Sequence, residues 1–188
     1  MGEPIRVWLI TGDPGVGKTT VLMKIMSIIR NYGYALGGML CREIRVKGER
    51  TGFELMDVAS GRKGVLASVE LNTGPRLGKY RVNLVDLAEI GAKSLVDAIN
   101  FCDLIICDEI GPMELLSPDF RHAVKFILES GKPVLGIIHK HFKDPLIQEL
   151  KSKPFVEIIE VNFENREKLP KELAEKILSK IKGKDHGI

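Results

Sequence analysis

Glutamine is nearly absent from the 188 residues: Gln148 is the single one. Set against abundant Lys and Glu, that scarcity points toward a heat-stable chain, in which thermolabile amides are few and charges form networks. Cysteine is scarce and odd in number, three in all, which excludes a disulfide-built secreted scaffold. Cys102 and Cys107 have the spacing of no zinc site and Cys107 lies in an apolar run, so the thiols read as reduced core residues of a cytoplasmic protein. No apolar stretch approaches the roughly 20 residues needed to span a bilayer. The first residues lack a basic region followed by a sufficient apolar run, so no export signal and no membrane association are expected. An excess of one charge is missing too. A net charge of +3 on 28 basic and 25 acidic residues does not indicate nucleic acid as a partner. What is left suits a single α/β domain over residues 1–188, large enough for a real core and too short for two.

What the chain does have is glycine at particular places. Gly12-Asp13-Pro14-Gly15-Val16-Gly17-Lys18-Thr19 fits G-x-x-x-x-G-K-[ST] at every fixed position. The apolar run from Ile5 to Ile10 before it reads as a buried strand. Thr19 to Tyr32 after it carries Val21, Leu22, Ile25, Met26, Ile28 and Ile29 at helical spacing and ends at Gly33, a natural C-cap. Strand, glycine loop, helix is the context that makes this pattern a phosphate cradle. Backbone N–H groups of Gly12–Thr20 can wrap a polyphosphate freed of Cβ atoms at Gly15 and Gly17, and the helix dipole favours anionic charge at the same place. Lys18 is expected to reach the β- and γ-phosphates, and the Thr19 hydroxyl to take a Mg²⁺ site. The expected ligand is a nucleoside triphosphate.

From Gly37 to Val69 short β-prone pieces alternate with glycine, with turn signals at Lys47-Gly48 and Ser60-Gly61. This reads as an antiparallel excursion of two or three strands after the first helix, within a β-rich insertion over residues 37–82 that ends in the short strand Tyr80-Arg81-Val82. Arg42, Arg45, Lys47, Arg50, Arg62 and Lys63 decorate it. Charges of this kind commonly face water; the functional alternative is a lid or substrate-facing flap. Asn83 then reads as an N-cap, with Leu87, Ile90, Leu95 and Ile99 as the apolar stripe of the following helix.

The continuous apolar run Leu104-Ile105-Ile106-Cys107 ends in Asp108-Glu109 and continues to Ile110-Gly111. Such a run suits the centre of a parallel sheet covered on both faces. Apolar residues followed by Asp form the Walker B pattern, whose carboxylate holds Mg²⁺, partly through water, while a following Glu can polarise an attacking water. Alone the pattern is weak; about ninety residues after a good phosphate loop it becomes strong. Successive strand side chains point to opposite faces, so Asp108 facing the metal would require Glu109 to reach the γ-phosphate from the loop beyond. Ser117-Pro118-Asp119 opens a further helix closed by Gly131, and Pro133 to Ile138 makes another buried strand. That strand ends at His139-Lys140-His141, on the edge where open α/β sheets bind ligands. His139 or Lys140 is a candidate polar contact to the γ-phosphate. A zinc reading of His-x-His lacks a nearby third ligand. Asp144-Pro145 starts a short helix, Phe155 to Val161 makes a last strand, and Leu169, Leu173, Ile177 and Ile181 stripe a closing helix. The tail 182–188 is expected to fray. Phosphate and metal contacts carry no base information, so Asn165 and Arg166 are the candidates for contacting the base, Arg by stacking on its face.

With these motifs in place the chain resembles the thermophile and cancer-related nucleoside-triphosphatase family of small P-loop proteins. The resemblance rests on Gly12 to Thr20, Thr51-Gly52-Phe53, Gly78-Lys79-Tyr80 with Val82-Asn83-Leu84, Glu164-Asn165-Arg166, and above all Asp108-Glu109-Ile110-Gly111-Pro112-Met113-Glu114-Leu115. Pro112 stands where members often carry Lys. The resemblance implies a RecA-like, mostly parallel sheet flanked by helices, Mg²⁺ dependence, and hydrolysis of ATP, GTP, CTP and UTP with little base preference. Lys18 and Glu109 are the expected catalytic residues, with Thr19 and Asp108 at the metal. Two other readings stand beside it: a P-loop phosphotransferase whose acceptor binds the β-rich region, and a nucleotide-gated binding module acting through a protein partner the sequence does not name.

Overall fold

The computed structural model describes residues 4–181; the expected frayed tail 182–188 lies outside them. Strand β1 (Val7–Thr11) is buried throughout, and its alternate residues feed two different cores. Val7 and Leu9 pack in one apolar cluster, Trp8 and Ile10 in the other, as the period-2 geometry of a strand covered on both faces requires. Helix α1 (Lys18–Asn31) closes with Tyr32 and Gly33, whose backbone N–H groups bond Ile29 and Arg30 carbonyls. Its apolar stripe of Val21, Leu22, Ile25, Met26 and Ile29 is buried.

Strands β2 (Leu36–Val46), β3 (Glu49–Asp57) and β4 (Lys63–Ser68) follow, then β5 (Arg76–Leu77) and β6 (Tyr80–Val82). The β2–β3 turn has positive φ at both Lys47 and Gly48, the pair of left-handed residues that a tight hairpin of matching twist requires. Next come α2 (Leu84–Asp86), a π-helical turn (Leu87–Ala92) and α3 (Lys93–Phe101). Asn83 caps this run by accepting the Asp86 N–H. Strand β7 (Leu104–Ile110) leads through a 3₁₀ turn (Glu114–Leu116) to α4 (Pro118–Glu129), where the Ser117 hydroxyl accepts the Phe120 N–H. Strand β8 (Val134–Ile138), α5 (Pro145–Ser152), β9 (Val156–Glu160) and α6 (Leu169–Ile181) complete the described chain.

All nine strands among the described residues form one sheet in the order β5-β6-β4-β3-β2-β7-β8-β1-β9. From β2 to β9 every pairing is parallel; from β2 outward to β5 every pairing is antiparallel. The β-rich region therefore continues the central sheet, and β2 belongs to both parts: Leu36–Met39 pair with β7, while Met39–Val46 pair with β3. The short strand β5 had no signal in the sequence. One cluster lies between the sheet and α3, α4 and α5, the other between the sheet and α1 and α6, giving three layers. No helix of the described residues is long and apolar enough to cross a membrane.

Candidate active site

Parallel strands that share a direction present their carboxyl ends along one edge, and the α/β sheet puts its ligand there. Here β8 lies between β1 and β7. The loop after β1, the carboxylates of β7, His139 after β8 and the turn after β9 therefore stand side by side.

The loop itself is built around positive φ. Gly12, Gly15 and Gly17 have φ of +152°, +77° and +103°, conformations that L side chains rarely adopt. At Gly12 a Cβ would also lie 2.6 Å from the Val161 carbonyl oxygen, so the residue after β9 presses the loop's first residue from outside. Asp13, Pro14 and Gly15 are exposed, Val16 is buried as the loop's anchor, and Thr19 and Thr20 are exposed on the first turn of α1. The Lys18 ammonium donates to the Gly12 and Asp13 carbonyls at 3.0 and 3.1 Å, which stretches the side chain along the inside of the loop.

Asp108 is buried on β7, whose residues Leu104, Ile105, Ile106 and Cys107 are also buried. One Asp108 carboxylate oxygen accepts the Cys41 backbone N–H; the other, Oδ2, is buried with no hydrogen-bond partner among the described residues, as is the Thr11 hydroxyl at the end of β1. Burial and the adjacent Glu109 charge push the Asp108 carboxyl up to about 7. Burial likewise raises Glu109, against the pull of Lys18 and His139. Strand β7 runs on through Ile110, but its register with β8 shifts between Cys107 and Ile110, and both carboxylates feel the Lys18 ammonium. Strict alternation, which would have sent Glu109 to the other face, does not describe this strand end. Ile110 is buried, and Gly111 turns the chain where a Cβ would meet Glu109 Oε1 at 3.0 Å and Glu114 Oε2 at 3.1 Å.

Glu114, within the Asp108–Leu115 segment, has no role that the sequence alone predicts. It is buried, accepts the Gly111 backbone N–H, and is pushed up to about 8 by burial and by Glu109. Its place in a 3₁₀ turn six residues beyond Asp108 has no periodic signal. Burial, reinforced by the charges of Glu114 and Asp108, pushes the Cys41 thiol well up as well, which keeps it protonated and unreactive. Crowded carboxyls with an orphaned oxygen are the environment in which a divalent cation is favoured, because its charge offsets their mutual repulsion. The donor set at Thr19 and Asp108, hard oxygens only, fits Mg²⁺.

His139 Nδ1 accepts the backbone N–H groups of His141 and Phe142 at 3.3 and 3.0 Å. That assigns the neutral ring's proton to Nε2. Lys140 points elsewhere: its ammonium bridges Asp13 Oδ1 at 3.1 Å and Glu160 Oε1 at 2.7 Å, raising its own pKa and lowering that of Asp13. It ties the loop after β8 to the phosphate loop and to the end of β9. Asn165 is turned inward, its amide donating to the Glu160 carbonyl and its side-chain oxygen accepting the Asn162 N–H. Arg166 lies against the phosphate loop, Nη1 to the Val16 carbonyl at 3.5 Å. Of Arg42, Arg45, Lys47, Arg50, Arg62 and Lys63 in the β-rich region, three pair locally: Arg45 and Arg50 with Glu43, Lys63 with Glu54.

Comparison with known proteins agrees with this geometry. An NTPase family model matches residues 7–174. The chain is 45% identical over 173 residues to nucleoside-triphosphatase THEP1 of Methanosarcina acetivorans, covering 92% of this chain and 97% of the relative. Against the protein of the same name from Thermotoga petrophila it is 46% identical over 165 residues, covering 88% and 89%. Among solved structures, THEP1 from Aquifex aeolicus superposes with a TM-score of 0.79 at 30% identity, over 91% of this chain and 98% of that one. A human cancer-related nucleoside triphosphatase gives 0.75 at 30% identity, over 97% and 100%.

Proposed function

This chain belongs to the NTPase family, and from that membership we propose that residues at the ends of β1 and β7 carry a Mg²⁺-supported hydrolysis of nucleoside triphosphates with little base preference. The protein is a nucleoside-triphosphatase, cleaving the terminal phosphoanhydride to give the diphosphate and phosphate. The observation that carries the assignment of roles is the buried, unpartnered Oδ2 of Asp108, whose carboxyl lies within electrostatic reach of Lys18.

The backbone N–H groups of the Gly12–Thr20 loop, Pro14 excepted, hold the phosphates, with the positive end of α1 behind them. Lys18 leaves the loop carbonyls for the β- and γ-phosphate oxygens and offsets charge on the transferring group. Thr19 and Asp108 would hold Mg²⁺, which when bound neutralises charge on the β- and γ-phosphates. Glu109 orients a water in line with the scissile bond and takes its proton. His139 supplies an Nε2–H donor at the same end. Water oxygen bonds to the γ-phosphorus as the bond to the bridging oxygen breaks, and the diphosphate leaves with that oxygen's charge.

Phosphate release measured against ATP, GTP, CTP and UTP, with and without candidate acceptor alcohols, tests this. Comparable release from all four without an acceptor is the expected result. Little free phosphate together with a phosphorylated acceptor would replace hydrolysis by phosphoryl transfer to a second substrate.

A further inference from the structure

The order β7-β8-β1-β9 gives the phosphate loop two sides. The carboxylates of β7, beyond β8, take the γ-phosphate side on the reading above, and the present inference rests on it. The nucleoside of a bound nucleotide then leaves the loop on the opposite side, past β9. What stands there is the turn between β9 and α6.

That turn is closed on itself. The Asn162 side-chain oxygen accepts the Glu164 and Asn165 N–H groups, both at 2.9 Å. Asn165 spends its oxygen on the Asn162 N–H and its amide on the Glu160 carbonyl, at 2.9 and 2.8 Å. Lys24 of α1 reaches Glu167 at 2.7 Å, so the turn is indexed to the helix that carries the phosphate loop. A turn closed in this way has no inward place for Phe163, which is 72% exposed. The Arg166 guanidinium lies over its ring, 4.9 Å from the centroid, and the same side chain touches the loop at the Val16 carbonyl and comes within 4.0 Å of the space beside Gly17. Phe101 and Phe126 are also exposed, but they sit on α3 and α4 with no phosphate-binding backbone beside them.

We propose that Phe163 and Arg166 form the base-stacking platform of this enzyme, holding the nucleobase by its face rather than its edge. Ring and guanidinium both present flat π surfaces, and every base has a π face to lay on them. The amide that could have read a base edge, Asn165, is turned into the turn, one N–H on the Glu160 carbonyl and its oxygen on the Asn162 N–H. Such a platform accepts all four bases and grips the larger purines better than the pyrimidines.

Titration calorimetry of the intact protein with Mg²⁺ and ADP, GDP, CDP, UDP or inorganic pyrophosphate decides the matter, because pyrophosphate occupies the loop without a base. Phe163→Leu is expected to weaken all four nucleotides by about fivefold or more, purines most, with pyrophosphate affinity held within about twofold; Phe163→Trp is expected to restore nucleotide binding. Arg166→Ala is expected to follow the Leu variant. Unchanged nucleotide affinity in Phe163→Leu, or an equal loss for pyrophosphate, overturns the platform. Phosphate release by the wild-type preparation judges hydrolysis separately: its absence would sink the hydrolytic reading while the diphosphate titrations still decide the platform.

Discussion

Single side chains at this site divide by what they can do without altering the fold. Lys18 sits at a loop–helix junction and fills no core space, so Lys18→Ala is expected to keep its melting temperature within a few degrees while losing useful triphosphate turnover. Near wild-type turnover in that folded variant would remove the phosphate-cradle assignment. Glu109→Gln keeps size and hydrogen-bonding capacity but removes the charge that polarises water. Its affinity for MgATP is expected to stay within about tenfold of wild type, ~1.4 kcal/mol. Its turnover is expected to fall by about a hundredfold or more, the scale of general-base loss. Calorimetry and phosphate release on one preparation separate the two: equal loss of both would make Glu109 a metal-shell or structural residue.

At the scale of elements, α4 and α5 are joined through one charged pair. Arg121 bonds Asp144 through both nitrogens of its fork, at 3.0 and 2.6 Å, and the Leu115 carbonyl through Nε at 2.7 Å. Asp144 meanwhile caps α5 by accepting the Leu146 N–H. The carboxyl is only 7% exposed but Arg121 is 36% exposed, so water offsets part of the loss when the pair is broken. Asp144→Ala is expected to cost about 2–3 kcal/mol, a cap plus a partly buried ion pair. Arg121 holds the Asp144 pKa below the ordinary value. The pair's contribution is therefore complete above the unfolded aspartate value of about 3.9 and is lost as pH falls below it through the folded value. Urea midpoints of wild type and variant should converge as pH is lowered from about 5 toward 2; a gap that stays constant would show that the charge does not matter. This cap was legible beforehand, as were those at Asn83 and Ser117, because capping is a local bargain between a side chain and its own helix. The apolar runs of β1, β7 and β8 and the stripes of α1 and α6 were legible for the same reason. What local pattern could not carry was set at a distance. The π-helical turn places Gly91 where a Cβ would meet the Met39 sulfur at 2.8 Å and Leu87 Cδ1 at 3.0 Å, a contact made across the fold. The inward turn of Asn165 depends on the Glu160 carbonyl, and the Lys140 bridge depends on two strand ends far from it in sequence. In the candidate site, the phosphate loop and the Asp-Glu pair were visible as patterns, while Glu114 and Phe163 gain their positions only from the packing of turns.

For the whole molecule the critical strand is β2, which joins the parallel and antiparallel halves of the sheet. Gly38 lies at the joint with φ of +105°, paired with Ile106 of β7, and a Cβ there would strike the Ile106 carbonyl. Gly38→Ala is expected to cost about 2 kcal/mol or more in backbone strain and displacement, lowering the melting temperature by about 4–8 °C. It should also reduce turnover, because β2 brings the Cys41 N–H to Asp108. An unchanged melting temperature would mean that the joint yields freely. The other half of the sheet closes differently. Strand β1 finds its two partners in β8 and β9, and the Val161 N–H bonds the Thr11 carbonyl at 2.8 Å beside the phosphate loop. On a ribosome, then, β1 is made long before either of the strands it pairs with. At translation rates of about 5–20 residues per second, Val7 to Ile10 wait on the order of ten seconds for both neighbours to emerge, while the β2–β3 hairpin can pair as soon as it is synthesised. A nascent chain that has not yet passed Val161 can form much of its sheet but lacks the Val161–Thr11 bond beside the phosphate loop.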